Sequence, residues 1–409
     1  MNKTTLRGYA RLIARVGANV QPGQEVFISA GLDQPDFVAM VVEECYKCKA
    51  KKVVVDWSFL PVSRLHYRYR SLNTLGRMDR YEEDRWAHYA EVRPCRIYLE
   101  SDDPAGLKGV DQEKVAKAQQ KLYPIVKPYR DRMENHYQWC IAAVPGEAWA
   151  KKLFPGLRKS QAVEKLWEAI LQAVHAAPGM DPVAEWEEHN RRIKEHCDWL
   201  NSLGIESLEY HAGNGTALTV GMIPEAQFCG GAEDTIEGIT FQPNMPTEEC
   251  FISPMKGVAE GIVYSTKPLC FQSQLIENFW IRFHEGKAVE WHAEKNGGLL
   301  DKIIQMDESS AYLGECALVP FTSPINESGI LFYNTLFDEN AVCHLALGMG
   351  FPDTIKGFQQ KTLDEVHQLG VNDSMIHEDF MIGTADMEIL AHCRNGETVP
   401  LFRNGVWSR

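Results

Sequence analysis

Three short apolar runs punctuate the first hundred residues: Val26-Phe27-Ile28, Val53-Val54-Val55 and Arg96-Ile97-Tyr98-Leu99. Stretches with helical spacing separate them, near 35–49 and 77–91, and a further helical stretch precedes them over 4–18 through Leu6, Tyr9, Ala10, Leu12, Ile13 and Val16. This alternation is the strongest constraint on the fold, because strands joined through helices pair in parallel. It predicts an α/β N-terminal domain with a parallel sheet, spanning residues 1–104. Patterned stretches near 111–135, 159–176 and 182–203 read as helices, interrupted by a strand from Trp139 to Pro145. After 205 the texture changes to short β-like runs punctuated by Gly, Pro and Asn. Asn214-Gly215, Asn296-Gly297, Asn395-Gly396 and Asn404-Gly405 read as hairpin turns, since both residues tolerate positive φ. Residues 105–409 are therefore expected to form a β-rich α+β C-terminal domain.

A chain of 409 residues has ample material for two packed cores. The net charge of −14 argues against general affinity for phosphate backbones or anionic membranes, so neither nucleic acid nor a membrane is an expected partner. The run His66-Tyr67-Arg68-Tyr69-Arg70 mixes bases with aromatics, but on this acidic background it reads as solvated surface or packing. No stretch reaches the ~18 apolar residues of a membrane span. The N-terminus shows neither an apolar signal region nor a cleavage site, and eleven scattered cysteines fit a reducing compartment, so a cytoplasmic location is expected. Cys45 and Cys48 fall within a helix-like run and read as structural thiols.

The sequence lacks a P-loop, a Rossmann glycine fingerprint, a nucleophile elbow and a His-Glu-x-x-His helix. Its chemistry-bearing residues lie dispersed in four segments of the C-terminal half: Asn244 to Glu249, Leu313 to Cys316, Glu339 to His344, and His377 to Gly383. His377 and Asp379 are two apart in a strand-like run, which puts both on one face and suits two ligands of one metal. Glu315 opens a run that is otherwise apolar, and a buried carboxylate needs a partner. Taken singly, each has a plainer reading. Glu248-Glu249 suits solvated surface, Glu315 a salt bridge, His344 a core histidine, and His377 with Asp379 an orienting hydrogen-bond pair.

Together the four segments strongly resemble the peptidase family M29 aminopeptidases, of the aminopeptidase T, aminopeptidase S and PepS type. The resemblance runs through Tyr9-Ala10-Arg11-Leu12, Gly17 to Gln24, Ala142-Ala143-Val144-Pro145 and Gly215 to Gly221. Its most specific matches are Asn244 to Glu249, His344-Leu345-Ala346-Leu347-Gly348 and His377 to Gly383. The family implies a cytoplasmic, homodimeric metallo-aminopeptidase that removes the N-terminal residue of peptides through a two-metal-activated water. Matched position by position, it implies Glu249, Glu315, Glu339, His344, His377 and Asp379 as metal ligands, with register selecting Glu249 over Glu248. Four carboxylates would balance two divalent ions, and this mixed oxygen and nitrogen set accepts Zn, Co, Mn or Mg. Within that reading Glu315 bridges the metals and Glu248 is a candidate proton carrier.

One position departs from the pattern. A Tyr typically follows the His-Leu-Ala-Leu-Gly segment in the family, where this chain has Gly350-Phe351-Pro352. Two other readings therefore stand beside the aminopeptidase: a non-catalytic metal- or peptide-binding relative, and a metal-dependent hydrolase of another amide.

Overall fold

The structure is a computed structural model that describes residues 1–101, 103–104, 106–271 and 274–409. The chain forms two compact units, Met1–Glu187 with Ala232–Met245, and Glu188–Gly231 with Pro246–Arg409.

In the first unit, strands β1 (Glu25–Gly31), β2 (Lys52–Ser58), β3 (Cys95–Glu100) and β4 (Trp139–Ala143) are joined in the order β2-β1-β3-β4, and the short strand Asn244–Met245 pairs beyond β4. Every pairing is parallel, as the strand and helix alternation predicts. The longer helices are α1 (Lys3–Leu12), α2 (Pro35–Lys47), α3 (Leu60–Tyr69), α4 (Arg80–Val92), α5 (Gln112–Asp131), α6 (Glu147–Leu153) and α7 (Lys159–Ala173). Asn2 caps α1 by accepting from the Thr5 amide, and the helix buries Tyr9, Ala10 and Leu12. Helix α3 is absent from the sequence reading because it lacks an apolar stripe facing a core, and none of its residues is buried. A boundary at residue 104 does not coincide with these units. Strand β4 extends the parallel sheet beside β3, so the segment after 104 belongs with the N-terminal unit as far as Glu187.

Helix α8 (Pro182–Ser202) leads the chain into the second unit, which holds a nine-stranded antiparallel sheet and a four-stranded one. Its core includes Leu208, Tyr210, Val220, Phe279, Ile281, Leu345, Phe380 and Ile389, all essentially inaccessible. Asn214-Gly215, Asn395-Gly396 and Asn404-Gly405 do turn hairpins. Asn296-Gly297 does not: Asn296, at φ 58°, is the N-terminal cap of the helix Gly297–Ile304. All eleven cysteines are free thiols. Among the described residues no helix is long and apolar enough to cross a membrane.

Candidate metal centre

The four-stranded sheet is built from β5 (Cys250–Ile252), β6 (Leu313–Leu318), β7 (His344–Gly348) and β8 (His377–Met381), side by side and antiparallel. Its register decides the site. Glu315 pairs with Ala346, and Ala346 pairs with Asp379, so these three form one row across β6, β7 and β8. Paired residues share a face, and so do residues two apart on a strand. His344 and His377 therefore project on the same face as Glu315 and Asp379. The opposite face carries Cys316, Leu345 and Phe380, which enter the apolar core. Ala346 is the small residue in the middle of the row, and its methyl leaves space between the two flanking carboxylates.

Glu249 joins from the residue just before β5. Its Oε2 lies 3.2 Å from His344 Nε2, Glu315 Oε2 lies 3.1 Å from His377 Nε2, and Asp379 Oδ1 lies 3.2 Å from the same nitrogen. The donor atoms fall into two groups, Glu249 with Glu315 and His344, and Glu315 with His377 and Asp379, each within 4.8 Å of one another. Glu315 belongs to both. Glu339, in the short 3-10 turn Glu339–Ala341, falls in neither group, although it is close enough to feel the charges of Asp379, Glu249 and Glu315.

The imidazoles are aimed from behind. His377 Nδ1 lies 2.7 Å from the Met349 carbonyl, to which it donates, leaving Nε2 to face the carboxylates. The strand passes close to that carbonyl because Gly314 lacks a Cβ, as Gly348 does where it passes the Ile376 carbonyl. One added at Gly314 would lie 2.2 Å from Met349 O, and one at Gly348 would lie 2.2 Å from Ile376 O, with φ at +99° there. The glycine beside Glu315 is thus a condition of His377's orientation.

Burial makes the charge balance severe. Glu249, Glu315 and Asp379 are 7%, 4% and 6% exposed, and His344 is 1% exposed. Burial pushes the Glu315 carboxyl up to about 7, against the pull of His377, and pushes Glu339 well above the carboxylate range with help from Asp379, Glu249 and Glu315. Burial alone would lower His344, but its contact with Glu249 and the surrounding negative charge raise it to about 9. Asp379 stays low in spite of burial because His377 faces it. Without other cations, the cluster is forced to hold protons.

These residues fit divalent metal ions. Asp379 Oδ1 is buried without a hydrogen-bond partner of good geometry among the described residues, an oxygen left open toward His377 and Glu315. The donors are carboxylate oxygens and imidazole nitrogens converging on a common space. Divalent cations held by these donors would replace the protons the cluster now needs.

The family described as thermophilic metalloprotease (M29) matches residues 2–407. The chain belongs to peptidase family M29. Aminopeptidase AmpS of Bacillus subtilis (strain 168) is 38% identical over 98% of each chain, and Aminopeptidase 2 of Geobacillus stearothermophilus is 36% identical over 98% of this chain and 97% of that one. The fold matches the solved structure of wild-type AmpT from Thermus thermophilus at a TM-score of 0.91, with 33% identity and all of both chains covered. The α/β N-terminal unit and the β-rich second unit are thus the architecture of an M29 peptidase.

Other groups surround these donors, and of them His189, Asp338 and Ser253 were not singled out by the sequence. Glu248 stands apart from both donor groups: its amide donates to Asn340 Oδ1 at 2.7 Å, and its carboxylate lies within 4.8 Å of a ring nitrogen of His189. His189 in turn is held 2.7 Å from the Thr247 carbonyl. Asp338 is buried and accepts from the amides of Phe332 (2.7 Å) and Asn334 (3.1 Å), which fixes the loop leading to Glu339. Its place next to Glu339 was the one available hint. Phe351 packs on the site, with its ring centroid 4.7 Å from that of His377 and 5.6 Å from that of Phe251. Ser253 Oγ accepts from its amide at 2.7 Å.

Proposed function

We propose that this M29 peptidase is a metal-dependent aminopeptidase that releases the N-terminal residue of peptides, with two divalent ions held by Glu249, Glu315, Glu339, His344, His377 and Asp379. The observation that carries the reading is the sharing of Glu315 between two groups of donors. Divalent ions bound there would polarise the scissile carbonyl and lower the pKa of a water molecule.

The remaining work falls to the chain itself. The Met349 carbonyl holds His377 in one tautomer, and the Glu249 carboxylate faces His344. One of the ions, or an acid beside them that is not a ligand, would hold the free α-amine of a substrate, which would account for selection of a free N-terminus. Glu248, beside His189 and next in sequence to Glu249, is the proton carrier of this scheme. A homodimer in the cytoplasm belongs to the same proposal.

A second reading, hydrolysis of another amide, is favoured by one contact. The side chain against His377 is a phenyl ring, where a hydroxyl would be available to a peptide carbonyl. Metal-stripped protein reloaded separately with Zn, Co, Mn and Mg, and assayed on leucine amide and its N-acetylated form, decides between them. The proposal expects hydrolysis of the free-amine substrate only, with two metals per chain by elemental analysis. Equal hydrolysis of both substrates favours the second reading, and no hydrolysis with any metal favours a binding protein.

A further inference from the structure

The N-terminal unit contains a cavity of about 1010 Å³, lined entirely by residues of that unit. Its place follows from the topology. From β1 the chain crosses to β2 on one side and then returns to β3 on the other, so β1 and β3 are neighbours whose connections leave in opposite directions. In open parallel sheets this reversal opens a crevice outside the carboxyl ends of the strands, and ligands bind there. Gly31, Ser58 and Ser101, at or just past the ends of β1, β2 and β3, form the floor. Ser101 Oγ donates to Asp33 Oδ2 at 2.7 Å across the reversal point.

One wall is α3, the helix with no buried residue. Leu32, Phe59 and Leu65 line the cavity and are 48%, 49% and 51% exposed, so an apolar surface faces the space. It is lined by Asp33, Asp103, Asp111 and Glu147 and by five basic side chains, an excess of one positive charge in a protein whose net charge is −14. Three of them are positioned by backbone carbonyls, which orient a cation without cancelling its charge. Arg64 Nη2 donates to Lys108 O at 3.0 Å, Lys114 Nζ to Tyr67 O at 2.7 Å, and Lys151 Nζ to Pro155 O and Leu157 O at 2.8 and 2.6 Å. Arg68 lines the same space, exposed on α3.

We propose that this crevice is a second binding site, distinct from the metal cluster, for a small organic anion with an apolar body. Its carboxylate or phosphate is taken by Arg64, Arg68, Lys114 and Lys151. Its body lies on Leu32, Phe59 and Leu65. The site explains why α3 keeps an apolar and basic surface without a core to pack on, and it gives Arg68 of the aromatic and basic run a role that the peptidase chemistry does not use.

The test is calorimetric titration of the full chain with N-acetyl-phenylalanine and with phenyl phosphate, neither of which offers a free α-amine. Binding of either probe is expected to survive metal removal by EDTA, to weaken about tenfold or more in Arg64→Glu/Arg68→Glu, and to weaken with added salt. The probe that binds more tightly identifies carboxylate or phosphate as the natural headgroup. Ala148→Trp, which fills the cavity from an exposed position on α6 without changing charge, is expected to abolish binding while leaving thermal unfolding unchanged. Failure of both probes at millimolar concentration overturns the proposal. So does binding that is lost with EDTA but indifferent to Arg64→Glu/Arg68→Glu and Ala148→Trp.

Discussion

Glu315 Oε2 lies 3.1 Å from His377 Nε2, although 62 positions separate the two residues in the chain and they stand on strands that do not pair with one another. The contact exists because β7 lies between β6 and β8 and presents Ala346 in the row that joins Glu315 to Asp379.

Glu315→Gln removes the carboxylate common to both donor groups and leaves the side-chain volume nearly unchanged. Activity should fall further than the ~10–100-fold typical of losing an outer partner of a metal ligand. Metal content by elemental analysis should drop, and thermal unfolding should remain cooperative. A variant that retains the wild-type metal content and full turnover would refute the shared-ligand assignment.

Ala346→Leu places three extra carbon atoms between Glu315 and Asp379. Metal uptake should be lost, and overpacking should cost about 1–3 kcal/mol. Equilibrium dialysis with zinc reads the first effect and urea unfolding the second. Unimpaired metal binding would mean that the ions do not lie above this row.

Phe351→Tyr adds a hydroxyl next to His377. If that hydroxyl reaches the developing oxyanion, kcat should rise by up to about 10²–10³ with little change in KM, since such donors act in the transition state. Steady-state kinetics on metal-saturated protein checks it. Unchanged kcat would show that the ring serves only to pack on His377 and Phe251.

Metal-free protein should lose stability as pH rises. Glu315 is raised to about 7 in the folded state from an ordinary value of 4.5, and His344 to about 9 from 6.5. Between 4.5 and 7 for the first, and between 6.5 and 9 for the second, the folded protein binds more protons than the unfolded chain. Its stability is therefore fully present below these windows and declines through them. Melting temperature measured in EDTA from pH 5 to 9 should fall, and saturating metal should flatten the slope by displacing the protons. A rising melting temperature over this range would contradict the charge assignment.

Asp338→Ala leaves the Phe332 and Asn334 amides without their acceptor. The expected cost is about 1–3 kcal/mol by denaturant unfolding. Because the freed loop runs into Glu339, metal affinity should fall as well, while Asp338→Asn, which keeps one acceptor oxygen, should recover part of both. Loss of stability with unaltered metal affinity would limit Asp338 to a purely architectural role.

Much was legible in the sequence because the responsible forces are local. The parallel sheet followed from apolar runs alternating with helical spacing, and three of four Asn-Gly pairs turned hairpins because their backbone preference is set by the residues themselves. Asn296 escaped that logic, since positive φ serves a helix cap as well as a hairpin. The spacing of His377 and Asp379 placed them on one face before any tertiary contact was known. Strand register alone brought Glu315 and His344 to that face and the chain's return at Glu249 beside them, and pairing between distant segments is not encoded in any short window. The same limit hid α3, whose surface has no core to face. It also hid the crevice at the ends of β1 and β3, a property of strand order. Sequence determined which residues carry charge and which face of each element they occupy. Tertiary structure decided which of those charges share a buried space, because that depends on the order in which strands lie side by side.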